Sequence, residues 1–466
     1  MTRVHAFTDD ALGDLDTVGL VEAIQGRQVS IPEVVDAAIA RIEKVNPELN
    51  GLAYADYDRA RMQAKDPRGG YFAGVPTLVK DNSNVAGIPT QNGSDAFTMP
   101  PSRADGDYAR MYHATGMLTL GKSQLSEFGF TPTAEHARLG SVASPWNTEH
   151  PAGASSAGAA AFVAAGALPI AHANDGGGSI RIPAAVNGLV GLKPTRGRIP
   201  SDKELRQMPV QVVADGVVTR SMRDTAAFFR EAERVYRNRA LPPVGEVTGP
   251  GRDRLRIAVV TRSPDRASTP EVREQTLKTA ALLEGLGHHV EEIAPPVPHY
   301  LTEDFITYWS FLSLFVMQTG RRAFGASYDP TKHDGITLGF AQLARRRMPM
   351  LPFAIARLRA SRRLTARVFK QYDVILTPTL GTATPKLGWV GAEVDFETRL
   401  ERLRDWVVFT PLHNATGDPA LSLPLGQTTD GMPLGMMFAA AAGREARLLE
   451  LGFELEQAQP WARIQD

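Results

Sequence analysis

The sequence predicts an α/β fold. Short apolar bursts of strand length alternate with amphipathic stretches along most of its 466 residues. A strand–helix–strand unit is legible in the second half. Hydrophobic residues make up 43% and charged residues 22%, which supports a sizeable core and argues against disorder.

Taken in order, Ser30-Ile31-Pro32-Glu33 has the form of a capping box with proline in the first turn. It opens a helix carrying Val34, Val35, Ala38, Ile39 and Ile42 on one face, expected to end before Pro47. Residues 74–80 and 117–121 read as strands, and Tyr108 to Thr115 as a helix. The alanine-rich run from Ala157 to Ala171 is short for a membrane span and contains Pro169, so it is read as a buried helix leading into a strand. Residues 241–254, rich in proline and glycine, form the clearest linker. After it, Arg256 to Val260, residues 270–286, and Val290 to Ile293 make the βαβ unit. Residues 301–370 are mostly helical and carry Phe305, Tyr308, Trp309, Phe311 and Phe315. Within them, the basic stretch from Arg345 to Arg363 reads as a solvated amphipathic helix. Val374-Ile375-Leu376 is a buried strand, and 406–460 returns to alternating strand and helix.

The 51 basic and 51 acidic residues cancel, so charge gives no case for nucleic acid or an anionic membrane as the main partner. Cysteine is absent, which excludes a disulfide framework, a thiolate nucleophile and a cysteine-held metal or cluster. No His/carboxylate spacing suggests a metal site, and no cofactor is expected. The first residues show no apolar core behind a basic segment, which sets the expectation of a cytoplasmic protein. Gly116 to Ser123 matches the phosphate-loop pattern G-x-x-x-x-G-K-S. Its middle, Met117-Leu118-Thr119-Leu120, favours a buried strand over a wide anion-binding turn, so nucleotide chemistry is rejected.

Three segments carry chemistry. In Asp175-Gly176-Gly177-Gly178-Ser179, three glycines leave backbone N–H groups free to converge, and a serine at the end of such a nest is placed to attack a carbonyl. A glycine turn with a capping serine is the alternative. Gly153-Ala154-Ser155-Ser156-Ala157-Gly158 is a second crowded turn with two hydroxyls. Gly74 to Asn82 puts Lys80 at the end of an apolar strand, where it either is buried or pairs with Asp81 on the surface. His172 invites a Ser–His reading, but neither serine sits in G-x-S-x-G, and His172 is read as a structural histidine at a strand end.

Together these segments resemble the amidase signature family. Ser155 and Ser179 stand 24 residues apart (179 − 155), and Lys80 and Ser155 stand 75 apart (155 − 80). Ser144 to Asn147, Gly188 to Thr195, and Phe409-Thr410-Pro411 with Asn414 resemble the family's flanking blocks. Among its members the Asp-Gly-Gly-Gly-Ser turn is similar to that of 6-aminohexanoate cyclic-dimer hydrolases. Departures from the usual pattern are Ala154 and Ala157 in place of glycines, and Asn174-Asp175-Gly176 in place of Thr-Asp-x. Gly176 is expected to widen the entrance slightly.

The resemblance implies one large domain, residues 1–466, with a mixed twisted sheet covered by helices on both faces. Residues 1–240 would form the core with the catalytic groups, 255–400 the βαβ and substrate-wall region, and 401–466 the return to the core. It implies amide hydrolysis through an acyl-enzyme. Ser179 would be the nucleophile, Ser155, after a cis bond from Ala154, the proton relay, and Lys80 the base. Gly176, Gly177, Gly178 and Ser179 would donate backbone N–H groups to the oxyanion. Phe128, Gly129, Phe130 and Thr131 would line the substrate site, by family analogy alone. Apolar, aryl or cyclic amides are the expected substrates, with esters and urethanes as side activities, and family habit implies a homodimer. The alternative within the resemblance is a glutaminase subunit of a tRNA-dependent amidotransferase.

The lysine role makes a physical demand. An ordinary lysine titrates near 10.4, so a neutral amine at pH 7 costs roughly 4–5 kcal/mol. Burial can lower a lysine pKa by about 3–5 and remove that cost. Val75, Leu78 and Val79 are consistent with burial, and Asp81 must then point elsewhere.

Overall fold

A computed structural model describes residues 3–466. Eleven strands build its two main sheets: β1 (Leu52–Ala55), β2 (Pro76–Lys80), β3 (Leu118–Ser123), β4 (Ile170–Asp175), β5 (Val190–Lys193), β6 (Ala214–Thr219), β7 (Arg256–Val259), β8 (His289–Glu292), β9 (Val374–Pro378), β10 (Ala420–Gln427) and β11 (Pro433–Ala440). The large sheet has eight strands in the order β8-β7-β9-β11-β10-β5-β6-β4, and the small one runs β1-β3-β2. The large sheet is mixed. β7 runs parallel to β8 and β9, and the remaining neighbours are antiparallel. Between the two sheets, the hydroxyl of Thr77 on β2 donates to the Ile170 carbonyl at the start of β4 at 3.0 Å.

Helices cover both faces. The ones that matter for the site are α1 (Ile31–Leu49), α2 (Ala157–Ala164), α3 (Arg181–Val186), α4 (Met222–Val235), α5 (Tyr300–Phe324), α6 (Gly335–Arg347), α7 (Leu351–Ala360), α8 (Pro411–Thr416) and α9 (Glu445–Ala458). Successive residues of a strand point to opposite faces, and β10 shows which helix covers which. Leu421 meets the α9 and α4 side, at Gly452 and Met222, while Ser422 faces Gly435 and Ala185 of α3. A Cβ at Gly435 would sit 2.4 Å from the Ala185 Cβ, and one at Gly191 would sit 2.6 Å from that of Ala184. Glycine at both positions lets α3 lie directly on the sheet, and this fixes the turn that precedes the helix. α2 is buried at every position, as its run of small residues requires, and it leads through a short turn into β4.

Two boundaries differ from expectation. α1 runs through Pro47 to Leu49, because a proline in the last turn forfeits a single N–H bond while Val45 and Leu49 are buried on the core face. The capping box at Ser30 and Glu33 forms as read. The basic stretch 345–363 is not one helix. α6 ends at Arg347, a 3-10 turn spans Met348–Met350, and α7 starts at Leu351, because Pro349 and Pro352 lack the N–H groups that would continue α6.

Candidate active site

β2, the turn before α2, and the turn between β4 and α3 bring Lys80, Ser155 and Ser179 to one region. Lys80 ends β2 and is fully buried. Its Nζ lies 2.7 Å from Ser155 Oγ, 2.7 Å from Asn174 Oδ1 and 3.2 Å from the Asn174 carbonyl. Burial pulls the Lys80 amine down to about 7, against the opposing pull of Asp175 and Asp215. Asp81 turns away from it to accept from Lys122 Nζ at 3.1 Å. That pairing also settles the phosphate-loop match: its lysine is fully buried, and its middle is the strand β3.

Ser155 follows a cis peptide bond from Ala154. Ser155 Oγ accepts from Lys80, and among the described residues it makes no second hydrogen bond. Ser179 is nearly buried and lines a cavity of about 180 Å3, and its hydroxyl has no protein partner among the described residues. Ala154, the residue before Ser155, lines the same cavity as Ser179, and the two serines make no direct hydrogen bond. Such bonds often tighten only when substrate is bound.

The glycine turn is organised by an ion pair. Asp175 and Arg181 are both fully buried, with Arg181 Nε donating to Asp175 Oδ2 at 2.8 Å and Nη2 to Oδ1 at 2.9 Å. The same carboxylate accepts from the N–H of Gly178 at 2.7 Å, from that of Ile180 at 3.1 Å and from Asn414 Nδ2 at 2.8 Å. Burial alone would raise the Asp175 pKa, but the Arg181 charge overrides it and holds the carboxyl well below the usual range. Thr410 Oγ1 donates to the Gly177 carbonyl at 2.7 Å and braces the turn from the other side. One expectation needs correction: the Gly178 N–H is committed to Asp175 and is not available to an oxyanion. Gly176, Gly177 and Ser179 keep N–H groups with no protein partner among the described residues.

Four further readings are corrected. Gly129, Phe130 and Thr131 line the cavity, but Phe128 does not. Its backbone is left-handed (φ 50°), and its ring packs on Phe97, Phe130, Phe324 and His333 instead. Gly176 does not widen the entrance, because Trp309 takes the space; a Cβ there would lie 3.1 Å from the indole. The aromatic wall on α5 is real but narrower than its sequence suggests. Phe305 stacks on Trp309 at 5.5 Å and both line the cavity, whereas Tyr308 is buried against Val210 and Phe315 is 54% exposed. His172 is in the middle of β4 rather than at its end. It is fully buried, its Nδ1 accepts the Lys80 backbone N–H at 3.1 Å, and its ring stacks on Tyr108 at 4.0 Å. It contacts neither serine.

Asn82, Asn174, Asp215 and the Asp175–Arg181 pair are parts of the site that sequence reasoning did not assign. The one available signal was Asp175 and Arg181 bracketing the glycines with opposite charges in an otherwise uncharged stretch. No group of three or more His or carboxylate side chains is placed to hold a metal among the described residues.

The family model described as Amidase matches residues 33–449. The chain belongs to the amidase signature family. It is 59% identical to "Putative amidase AmiC" of Mycobacterium leprae, over 100% of this chain and 99% of that one. It is 32% identical to the 6-aminohexanoate-cyclic-dimer hydrolase of Pseudomonas sp. strain NK87, over 96% of this chain and 95% of that one. The structure of a 6-aminohexanoate cyclic dimer hydrolase complexed with substrate superposes with a TM-score of 0.88 at 28% identity, covering 98% of both chains. A bacterial aryl acylamidase of the same family superposes at 0.85 with 25% identity, covering 97% of both. The family hydrolyses amide bonds, and this chain is an amidase of that fold. No helix of the described residues is long and apolar enough to cross a membrane.

Proposed function

We propose that this amidase cleaves neutral, apolar or aryl amides through a Ser179 acyl-enzyme, with Ser155 as relay and Lys80 as base. The observation that carries the reading is the fully buried Lys80 amine, pulled down to about 7 and 2.7 Å from the Oγ of Ser155, whose chain neighbour Ala154 lines the same cavity as Ser179. At pH 7 such an amine is neutral about half the time, against roughly 1 in 2,500 for an ordinary lysine.

In the proposed reaction Ser179 Oγ attacks the amide carbonyl. Its proton passes to Ser155 Oγ, whose own proton moves to Lys80 Nζ. The N–H groups of Gly176, Gly177 and Ser179 hold the oxyanion. Collapse expels the amine, which takes a proton from Lys80 by way of Ser155, and water cleaves the ester by the same relay.

The cavity supports the substrate class. Its lining contains no Asp or Glu, and Phe305, Trp309, Phe340 and Phe130 give it an aromatic wall. A free amino acid such as glutamine would find Arg262 and Arg404 for its carboxylate but no carboxylate for its ammonium group, so the glutaminase-subunit alternative is not better supported. The relatives named for a cyclic dimer amide and for aryl acylamides point the same way. Esters and urethanes, which have more reactive or similar carbonyls, follow as side activities. The test is a panel of anilides, cyclic and linear amides, esters and carbamates on the wild type and on Ser179→Ala. Turnover of anilides abolished by the substitution is expected; turnover that survives it would refute the reading.

A further inference from the structure

We propose that Asn174, held by Asn82, is a positioning residue that aims the lone pair of Lys80 at Ser155; the inference rests on the base role proposed above. The observation is the set of acceptors around Nζ. Asn174 supplies two of the three, its side-chain Oδ1 at 2.7 Å and its own carbonyl at 3.2 Å, and Ser155 Oγ supplies the third at 2.7 Å. A neutral amine has two N–H donors and one lone pair, whereas an ammonium has three donors and none. With both N–H groups of the amine donated to Asn174, the lone pair is left facing Ser155 Oγ. It can then accept the serine proton without rotating. Once protonated, the ammonium finds all three acceptors already in place. The same cage therefore serves both ends of the proton transfer: one O–H bond at Ser155 breaks as one N–H bond at Lys80 forms.

The Asn174 side chain is fixed for this task. Its Nδ2 donates to Asn82 Oδ1 at 2.9 Å, and Asn82 Nδ2 donates back to Asn174 Oδ1 at 3.2 Å. Asn174 is nearly buried at 4% exposure, and its carbonyl also accepts from Ser156 Oγ at 3.3 Å. The oxygen faces Lys80 because the opposite orientation would set an NH2 group against the amine and cap its lone pair. A threonine here, the residue more usual at this place in the resemblance, has one oxygen on a shorter arm and no second polar atom for Asn82.

The charged groups around Lys80 are otherwise occupied. Asp175 is tied to Arg181, Asp215 faces His172 Nε2 at 3.3 Å, and Asp81 holds Lys122. His172 takes the Lys80 backbone N–H and does not reach the amine. The amide of Asn174 is therefore the uncharged group whose replacement by a carboxylate would bear directly on Nζ.

The experiment measures the rate at which phenylmethanesulfonyl fluoride labels Ser179, by intact mass, from pH 5 to 10. It compares the wild type, Asn174→Asp, Asn174→Ala, Asn82→Ala and Lys80→Ala, with thermal melts to establish that each is folded. Asn174→Asp places an anion on Nζ and should move the acid limb upward by at least one pH unit. Asn174→Ala should slow labelling about 10- to 100-fold, a part of the roughly 10²–10⁴ that a positioned base supplies. Asn82→Ala should give a smaller loss in the same direction. Kinetics with 4-nitroacetanilide should show the loss in kcat with KM unchanged. An acid limb unmoved in folded Asn174→Asp, while Lys80→Ala is inert, would overturn this inference alone. Lys80→Ala labelled at the wild-type rate would overturn the base role and this inference together.

Discussion

Replacing Arg181 by methionine keeps most of the side-chain volume and removes the charge that Asp175 faces. Both partners are fully buried, so the carboxylate would be left in the core with the N–H groups of Gly178, Ile180 and residue 181 and the Asn414 amide as its donors, and no cation. Breaking a buried pair from one side costs about 3–5 kcal/mol. With an unfolding entropy of about 2.1 cal/mol/K per residue, a chain of 466 residues loses about 1 °C per kcal/mol, so the melting temperature should fall by about 3–5 °C. The effect on turnover should be larger than the effect on stability. The same carboxylate holds the Gly178 end of the turn, and displaced oxyanion donors cost about 10²–10³ in kcat. Differential scanning fluorimetry and anilide kinetics on Arg181→Met measure the two losses. The double variant Asp175→Asn/Arg181→Met removes the stranded charge and should recover a good part of the stability but not the activity. A single variant that melts within 1 °C of wild type and keeps full kcat would refute the claim that this pair builds the turn.

Four further outcomes follow. Activity should rise with pH through about 7 and then level, because only the neutral Lys80 amine accepts a proton. The folded protein releases that proton near 7 and the unfolded chain near 10.4, so between those values the unfolded state binds more protons and stability rises with pH; Lys80→Met should lack this contribution in melts taken from pH 7 to 9. Trp309→Ala should raise KM for anilides about tenfold, from the loss of ~1–1.5 kcal/mol of ring stacking, while KM for small aliphatic amides stays within about twofold. Phe128→Ala should lower stability by about 2 kcal/mol and leave KM unchanged, because its ring packs in the aromatic cluster and not in the cavity. Steady-state kinetics and melts on each variant check these.

The sequence was most informative where chemistry is concentrated in short ordered segments. A strand-end lysine and two small-residue turns mark the three segments locally, but the choice of Lys80, Ser155 and Ser179 within them comes from the family resemblance. The α/β class was legible from period alone, since strands such as Val374–Pro378 and helices such as Ile31–Leu49 announce themselves by spacing. What escaped depends on packing between distant segments. Asn82 and Asn174 are 92 residues apart (174 − 82), and nothing in either segment marks the pair. Gly176 and Trp309 meet across 133 residues (309 − 176), so the glycine's effect on the entrance could not be judged without the indole that occupies it. Phe128 adjoins the cavity-lining Gly129 and Phe130 in the chain, but its ring packs with Phe97 and Phe324, from segments that nothing near residue 128 marks. The Gly178 N–H, an oxyanion donor by the resemblance, is a similar case. A glycine-rich turn offers several donors, and only the position of Asp175 decides which are already taken.

The most direct measurement is acid quench of the enzyme during turnover of a 4-nitrophenyl ester, followed by intact-mass and peptide mapping. The account predicts one acyl group per chain, on Ser179, absent in Ser179→Ala and accumulating far more slowly in Lys80→Ala. An acyl group on Ser155 or any other residue, or hydrolysis at full rate with Ser179 never modified, would contradict it.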